Sequence, residues 1–203
     1  MNDANSPILI LASGSPRRRE LLSLLGLPFE VAVTDTDEST PPGWTPERIV
    51  SVLAQRKAEA TMTLNAERNA VIIGSDTIVV HDNLILGKPV DEQDSIATLT
   101  ALQGNTHKVY TGVACIRMPE GIISVEHRVT NVTMRGLSPE EIKAYVATGE
   151  PADKAGSYAI QGLGSTLVEK IEGCYFNVVG LPLALLGDML SRFGIQVLNA
   201  RGE

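Results

Sequence analysis

"ILILASGSPRRRELLSLLG", from Ile8 to Gly26, joins a short apolar run to a loop of small residues and then to three consecutive arginines. Ile8 to Leu11 reads as a buried strand, since consecutive apolar residues leave it no face for water. Ser15 then reads as a helix N-cap, with Pro16 in the first helical position and Gly26 closing the helix. A strand, a small-residue loop and a helix start together form a general anion site, because the helix offers unpaired N–H groups and the positive end of its dipole. Ser13, Gly14 and Ser15 allow close approach and supply hydroxyl donors. Arg17, Arg18 and Arg19 fall in the first turn, where the dipole disfavours cations. A bound polyanion would offset that mismatch; solvation, or pairing with Glu20 and distant acids, would account for the arginines equally well. The loop is neither a Walker A loop, since no Gly-Lys-Ser/Thr follows, nor a Gly-x-Gly-x-x-Gly fingerprint.

Outward from this stretch the elements alternate in type. A helix is predicted from Thr45-Pro46 through "ERIVSVLAQRKAEATMTL". "AVIIGSDTIVV" is a strand, continued after the turn "HDN" by "LILGKP". "DEQDSIATLTALQG" is a helix with Gly104 as its stop. "HKVYTGVACIRM", a turn at Glu120-Gly121 and "IISVEHRVTNVTMR" form a long hairpin. Ser138-Pro139-Glu140-Glu141 is a capping box that opens another helix. "GSYAIQGLGSTLVEKIEG" reads as short strands and turns, "LPLALLGDMLSRFG" as the last helix and "IQVL" as a final strand. "DTDESTPPGWTPE" is the one loop long enough to suggest flexibility, with Trp44 as its anchor. Helices interleaved with both hairpins and single strands predict a mixed α/β sheet, not a purely parallel one.

The 203 residues suit a single domain, 1–203, with room for two lobes. A net charge of −7 argues against a nucleic-acid surface and leaves room for a local basic pocket that holds a small anion. Cys115 and Cys174 lie far apart in no metal-like spacing and read as free thiols of a reducing cytoplasm. The polar "MNDANSP" is no signal peptide, and "VVGLPLALLG" is too short to span a bilayer, so the expectation is a soluble, cytoplasmic protein with no membrane partner.

Four features carry chemistry. Asp76 sits inside the apolar run "VIIGSDTIVV", where a carboxylate is costly unless it is paired or binds a metal; the competing reading is a strand-end Asp that caps a local turn. Lys57 lies in line with Val50, Leu53 and Ala54 at helical spacing, so it either snorkels to the surface or reaches into a pocket. Lys88 and Lys154 follow at strand and loop ends, and with the arginines these lysines could hold a triphosphate. Gln161, in "AIQGLG", either presents its amide to a flat ligand edge or belongs to ordinary turn chemistry. His81, His107 and His127 are isolated, and neither a Ser-His-Asp triad nor a Cys-His pair can be assembled.

"LASGSPRRRELL", Asp37-Glu38, "LAQRKA", "GSDTIVV", "ILGKP", "YTGVA", "YVATGEPADKAGSYAIQGLG" and "YFNVVGLPL", in this order, closely resemble the Maf family of nucleoside triphosphate pyrophosphatases. The resemblance implies a mixed central sheet flanked by helices, two lobes with a cleft, and a fold like that of inosine triphosphate pyrophosphatases. It implies hydrolysis of a nucleoside triphosphate to the monophosphate and pyrophosphate, with magnesium or manganese as cofactor, and it is compatible with a homodimer. Asp76 is then the general base or a metal ligand, Glu38 the second metal carboxylate, and Ser13, Ser15, Arg18, Lys57, Lys88 and Lys154 the triphosphate clamp. Arg17, Thr77 and Gln161 match the dTTP/UTP-type members, where 7-methyl-GTP enzymes carry an aromatic residue, a glutamine and a glutamate. Physical chemistry agrees at Gln161: guanine's two N–H donors suit a carboxylate, while the alternating acceptor and donor of uracil or thymine suit an amide. The reading is therefore dTTP and UTP hydrolysis that cleans nucleotide pools, modified pyrimidine nucleotides included. Its rivals are the same reaction on 7-methyl-GTP and a nucleotide-binding regulator of cell division whose hydrolysis is incidental.

Overall fold

In the computed structural model, which describes residues 7–198, the strands β1 (Ile8–Leu11), β2 (Phe29–Val31), β3 (Ala70–His81), β4 (Leu84–Leu86), β5 (Thr106–Met118), β6 (Ile122–Met134) and β7 (Val168–Glu172) form one sheet. Its order is β2-β1-β3-β5-β6-β7, with β4 on β3. β1 runs parallel to both β2 and β3, whereas β3/β4 and β6/β7 are antiparallel, so the sheet is mixed as the alternation of elements predicts. β1 and the first half of β3 are parallel interior strands; Leu9–Leu11 and Ala70–Ile73 are continuous apolar runs with almost no exposed surface, and Ile8 alone opens to solvent at 40%. The polar segment Met1–Ser6 lies outside the described residues.

The helices are α1 (Pro16–Ser23), α2 (Pro46–Glu59), α3 (Glu92–Leu102), α4 (Pro139–Val146), α5 (Tyr175–Val179) and α6 (Leu183–Arg192). Three of their starts follow the predicted caps. Ser15 accepts from the Arg18 amide, Thr45 from that of Arg48, and Ser138 forms a full capping box with Glu141, each with proline next in sequence. No helix among the described residues is long and apolar enough to cross a membrane.

The structure departs from the sequence reading in four places. α2 ends at Glu59 instead of running to Leu64, because the Thr61 hydroxyl bonds back to the Ala58 carbonyl and the Asn65 amide to that of Thr61, turning the chain into a short 3₁₀ segment at Thr63–Asn65. Gly162–Leu167, expected as strand and turn, is 3₁₀ helix. The short elements β2 and α5 carry too little periodicity to be read. "IQVL" forms no strand: Gly194 turns the chain back with φ +78°, and the Ile195 amide bonds to Leu190 at the end of α6.

The chain divides into two compact units: the residues through Asp76 with Thr111–Arg128 and those from Gly180 on, and Thr77–Tyr110 with Val129–Val179. Each has its own core. In the first, Ile10, Ala12, Ile72, Ala114 and Ile116 pack beneath Ala54 and Ala58 of α2. In the second, Val79, Leu99, Val109, Met134, Ile142 and Tyr145 join α3 and α4 to the sheet.

His107 lies under the second core, its Nε2 2.7 Å from the Tyr158 hydroxyl and its ring edge-on to the tyrosine. Burial, with a smaller contribution from His81, pulls its pKa down to about 4. The unfolded chain therefore binds the extra proton between pH 4 and 6.5, so this contribution to stability is whole above about pH 6.5 and falls away toward about pH 4. The full loss is roughly 3 kcal/mol. Thermal melts from pH 7 to 4.5 should show His107→Phe losing several degrees less than the parent chain, and equal losses would contradict the assignment.

Candidate active site

Two strand glycines set the position of α2. A Cβ on Gly74 would lie 2.2 Å from the Ala54 carbonyl oxygen, and one on Gly112 2.2 Å from that of Val50. The helix backbone therefore rests directly on β3 and β5, at distances only glycine permits. Ile49, Val50, Leu53, Ala54 and Ala58 form the buried stripe of α2, and Lys57 lies along its margin.

Lys57 does not snorkel outward. Its Nζ donates to Asp76 Oδ1 at 2.6 Å and stands 2.9 Å from Glu38 Oε1. Asp76 is 6% exposed, in the middle of β3, so its charge is met inside the protein and not at a strand end. Glu38 comes from the loop before α2. Arg56, next to Lys57 on the same helix, donates to the carbonyls of Asp37 at 3.2 Å and Ser39 at 2.7 Å, and the Asp37 carboxylate accepts from the Ser39 amide and hydroxyl. Trp44, the expected loop anchor, lies 4.1 Å beneath the Arg48 guanidinium. One helix thus carries the shared cation, and its neighbour fixes the loop that brings the second carboxylate.

The strand–loop–helix start is built as its residues suggest. Ser13 Oγ accepts from the Ser15 amide at 3.2 Å and from Arg18 Nη1 at 3.4 Å. Arg18 Nε donates to the Gly180 carbonyl at 2.9 Å, and the same carbonyl lies 3.0 Å from the Ser75 hydroxyl, which also reaches Gly112 O at 2.9 Å. Burial lowers the Arg18 pKa, the Asp76 charge raises it, Arg17 lowers it and Glu38 raises it. It stays charged at physiological pH. Arg17 is half-buried and Arg19 exposed. Ser75 and Gly180 escaped the sequence reading as a pair, since they lie 105 residues apart in the chain.

Ser13, Ser15, Arg17, Arg18, Glu38, Lys57 and Asp76 all belong to the first unit, and Arg18, Lys57, Glu38 and Asp76 interact as one charged group. Thr77, Lys88, Lys154 and Gln161 belong to the second. Thr77 is half-buried, and Lys88 is exposed just past β4. Lys154 Nζ is held by the Glu150 carbonyl at 2.6 Å and the Asp153 carboxylate at 2.7 Å. Gln161 is half-buried and extended, immediately before the 3₁₀ turn.

Among the described residues no three His, Cys, Asp or Glu side chains gather as a self-sufficient metal site. Asp76 and Glu38 nevertheless reach one ammonium from two directions, so two carboxylates can serve a single cation here. That donor set fits a magnesium or manganese ion, which commonly takes one or two carboxylates and completes its shell with water and substrate phosphates.

A family model described as "Maf-like protein" matches residues 8–193. A dTTP/UTP pyrophosphatase of Pelotomaculum thermopropionicum is 48% identical over 94% of this chain and 98% of its own length. The dTTP/UTP pyrophosphatase of Moorella thermoacetica is 50% identical over 93% and 96%. A solved structure of the Staphylococcus aureus Ham1 protein overlaps 62% of this chain and 71% of its own, at 14% identity and a TM-score of 0.43.

Removing the cation should be felt in stability as well as in any chemistry. Lys57→Met keeps the apolar stem and strands the buried Asp76 charge, at a cost of about 3 kcal/mol. Glu38, 63% exposed, should matter far less to folding, with Glu38→Gln costing under about 1 kcal/mol. Chemical denaturation of both variants checks the contrast; equal effects would mean that Asp76 does not depend on Lys57.

Proposed function

The chain belongs to the family of Maf-like proteins, and on that footing we propose that it is a nucleoside triphosphate pyrophosphatase acting on dTTP and UTP. The observation that carries the reading is the Asp76–Lys57–Glu38 group beside Arg18: a buried carboxylate in the middle of β3, bonded to one cation and close to a second. The reaction splits the α–β phosphoanhydride bond. Water adds at phosphorus, the bond to the bridging oxygen breaks, and monophosphate and pyrophosphate leave.

Asp76 takes the proton of the attacking water as general base. A bound divalent cation, held by Asp76 and Glu38, would neutralise phosphate charge and lower the pKa of water. Ser13, Ser15, Arg18 and Lys57 bind phosphate oxygens and balance charge as pyrophosphate departs. Arg18 is aimed by its bond to the Gly180 carbonyl, which fixes the plane of its guanidinium. Lys88 and Lys154, of the second unit, are read as further triphosphate-binding residues on the family resemblance. In Lys154 the contacts to Glu150 and Asp153 also order its own loop, so its share is the smaller. Arg17, Thr77 and Gln161 select the base. The Gln161 amide offers one acceptor and one donor pair, the complement of a uracil or thymine edge.

Pyrophosphate release should be measured with magnesium or manganese across dTTP, UTP, CTP, GTP and 7-methyl-GTP. We expect dTTP and UTP to exceed the others by about a hundredfold in kcat/KM, as a site built to match polar base edges allows. A chelator should abolish release. Preference for 7-methyl-GTP would overturn the assignment of the base-selecting residues, and no turnover of any substrate would leave the nucleotide-binding regulator as the better reading.

A further inference from the structure

Gln161 can discriminate between bases only if its amide is held still. A glutamine amide that turns over exchanges its donor and acceptor, and cytosine presents to it the reverse of the uracil pattern. The backbone around Gln161 is therefore as important as the side chain.

That backbone is pinned on both sides, by Tyr145 at the end of α4 and by Glu150 just beyond it. Upstream, the Ala159 amide donates to the Tyr145 hydroxyl at 3.1 Å. Downstream, the amides of Leu163 and Gly164 donate to the two oxygens of the Glu150 carboxylate, at 3.0 Å and 2.9 Å. The two pins are joined, since the Tyr145 hydroxyl in turn donates to Glu150 at 2.8 Å. Tyr145 is 5% exposed and packs in the second core, so the anchor is rigid.

Glu150 is itself fixed at its main chain. Its amide donates to Thr148 Oγ1 at 3.1 Å, and its carbonyl accepts from Lys154 Nζ at 2.6 Å. Burial pushes its carboxyl pKa up, but the Gly164 amide, the Tyr145 hydroxyl, the Leu163 amide and the Lys154 charge outweigh it and hold the group below the usual range. The turn fits the carboxylate closely. A Cβ on Gly162 would lie 2.6 Å from Glu150 Oε2, and one on Gly164 2.6 Å from the Tyr145 hydroxyl.

We propose that Glu150 and Tyr145 are positioning residues for base selection: they clamp the segment that carries Gln161 between two hydrogen-bonded pins, and so set where its amide can reach. The proposal rests on the reading of Gln161 as a base-selecting residue. Neither residue touches the nucleotide; they act through Gln161.

The test is steady-state pyrophosphate release from UTP and CTP by the full chain, with magnesium, for Glu150→Gln, Tyr145→Phe, Gln161→Ala and the double variant Glu150→Gln/Gln161→Ala. Glu150→Gln replaces one acceptor oxygen by an NH₂ that faces a backbone donor. We expect it to raise the KM for UTP about tenfold, leave kcat within about twofold, and narrow the UTP-over-CTP ratio of kcat/KM about tenfold, the scale on which small misplacements act. Tyr145→Phe keeps the buried ring and should move the ratio the same way, which decides the matter if Glu150→Gln folds poorly. In the Gln161→Ala background Glu150→Gln should change the ratio no further, the coupling expected of groups that act as one unit. A ratio unchanged in Glu150→Gln and Tyr145→Phe but lost in Gln161→Ala would overturn the proposal and keep the base reading. A ratio unchanged in Gln161→Ala would overturn both.

Discussion

A carboxylate placed in the middle of an apolar strand must find a positive partner inside the protein, and the first unit is arranged around that requirement. Asp76 is almost wholly buried in β3, so a cation has to be brought to it. Lys57 arrives from α2 because α2 can lie directly on the sheet, and it can do so because Gly74 and Gly112 remove the side chains that would hold it off. The same helix then fixes its own approach loop through Arg56 and so presents Glu38 to the Lys57 ammonium. A local electrostatic demand thus explains a helix position, two glycines and a loop.

The cluster is well suited to phosphate chemistry. Fixed charges that are not screened by water act strongly on a substrate's charge and need no reorganisation during reaction. The arginines of α1, unfavourable at a helix start by themselves, are answered in two ways. Arg18 is tied to the Gly180 carbonyl and feels Asp76 and Glu38. The proposed triphosphate would supply the remaining negative charge.

Much of this was legible in the sequence because it depends on near neighbours in the chain. The Ser15-Pro16 and Thr45-Pro46 starts and the Ser138–Glu141 capping box are local chemistry, and they appear where expected. Asp76 stood out because a charge inside an apolar run is rare. The direction of Lys57 was not legible, because spacing along a helix places a residue on a stripe margin without saying whether a buried acid lies opposite. Ser75, Gly180, Tyr145 and Glu150 were missed for a related reason: their partners lie elsewhere in the chain, and nothing local marks them. "IQVL" misled because β-propensity alone cannot supply a neighbouring strand to pair with. The α2 boundary moved because a threonine bonded back onto the last helical turn and an asparagine onto that threonine.

In the proposed function the buried carboxylate performs the chemistry and is not there to stabilise the fold. Turnover of UTP by Asp76→Asn, measured beside its thermal melt, tests this most directly. We expect a loss of about a thousandfold or more in kcat, the scale of a general base, from a chain that still melts cooperatively. A folded Asp76→Asn chain with near-normal turnover would contradict it.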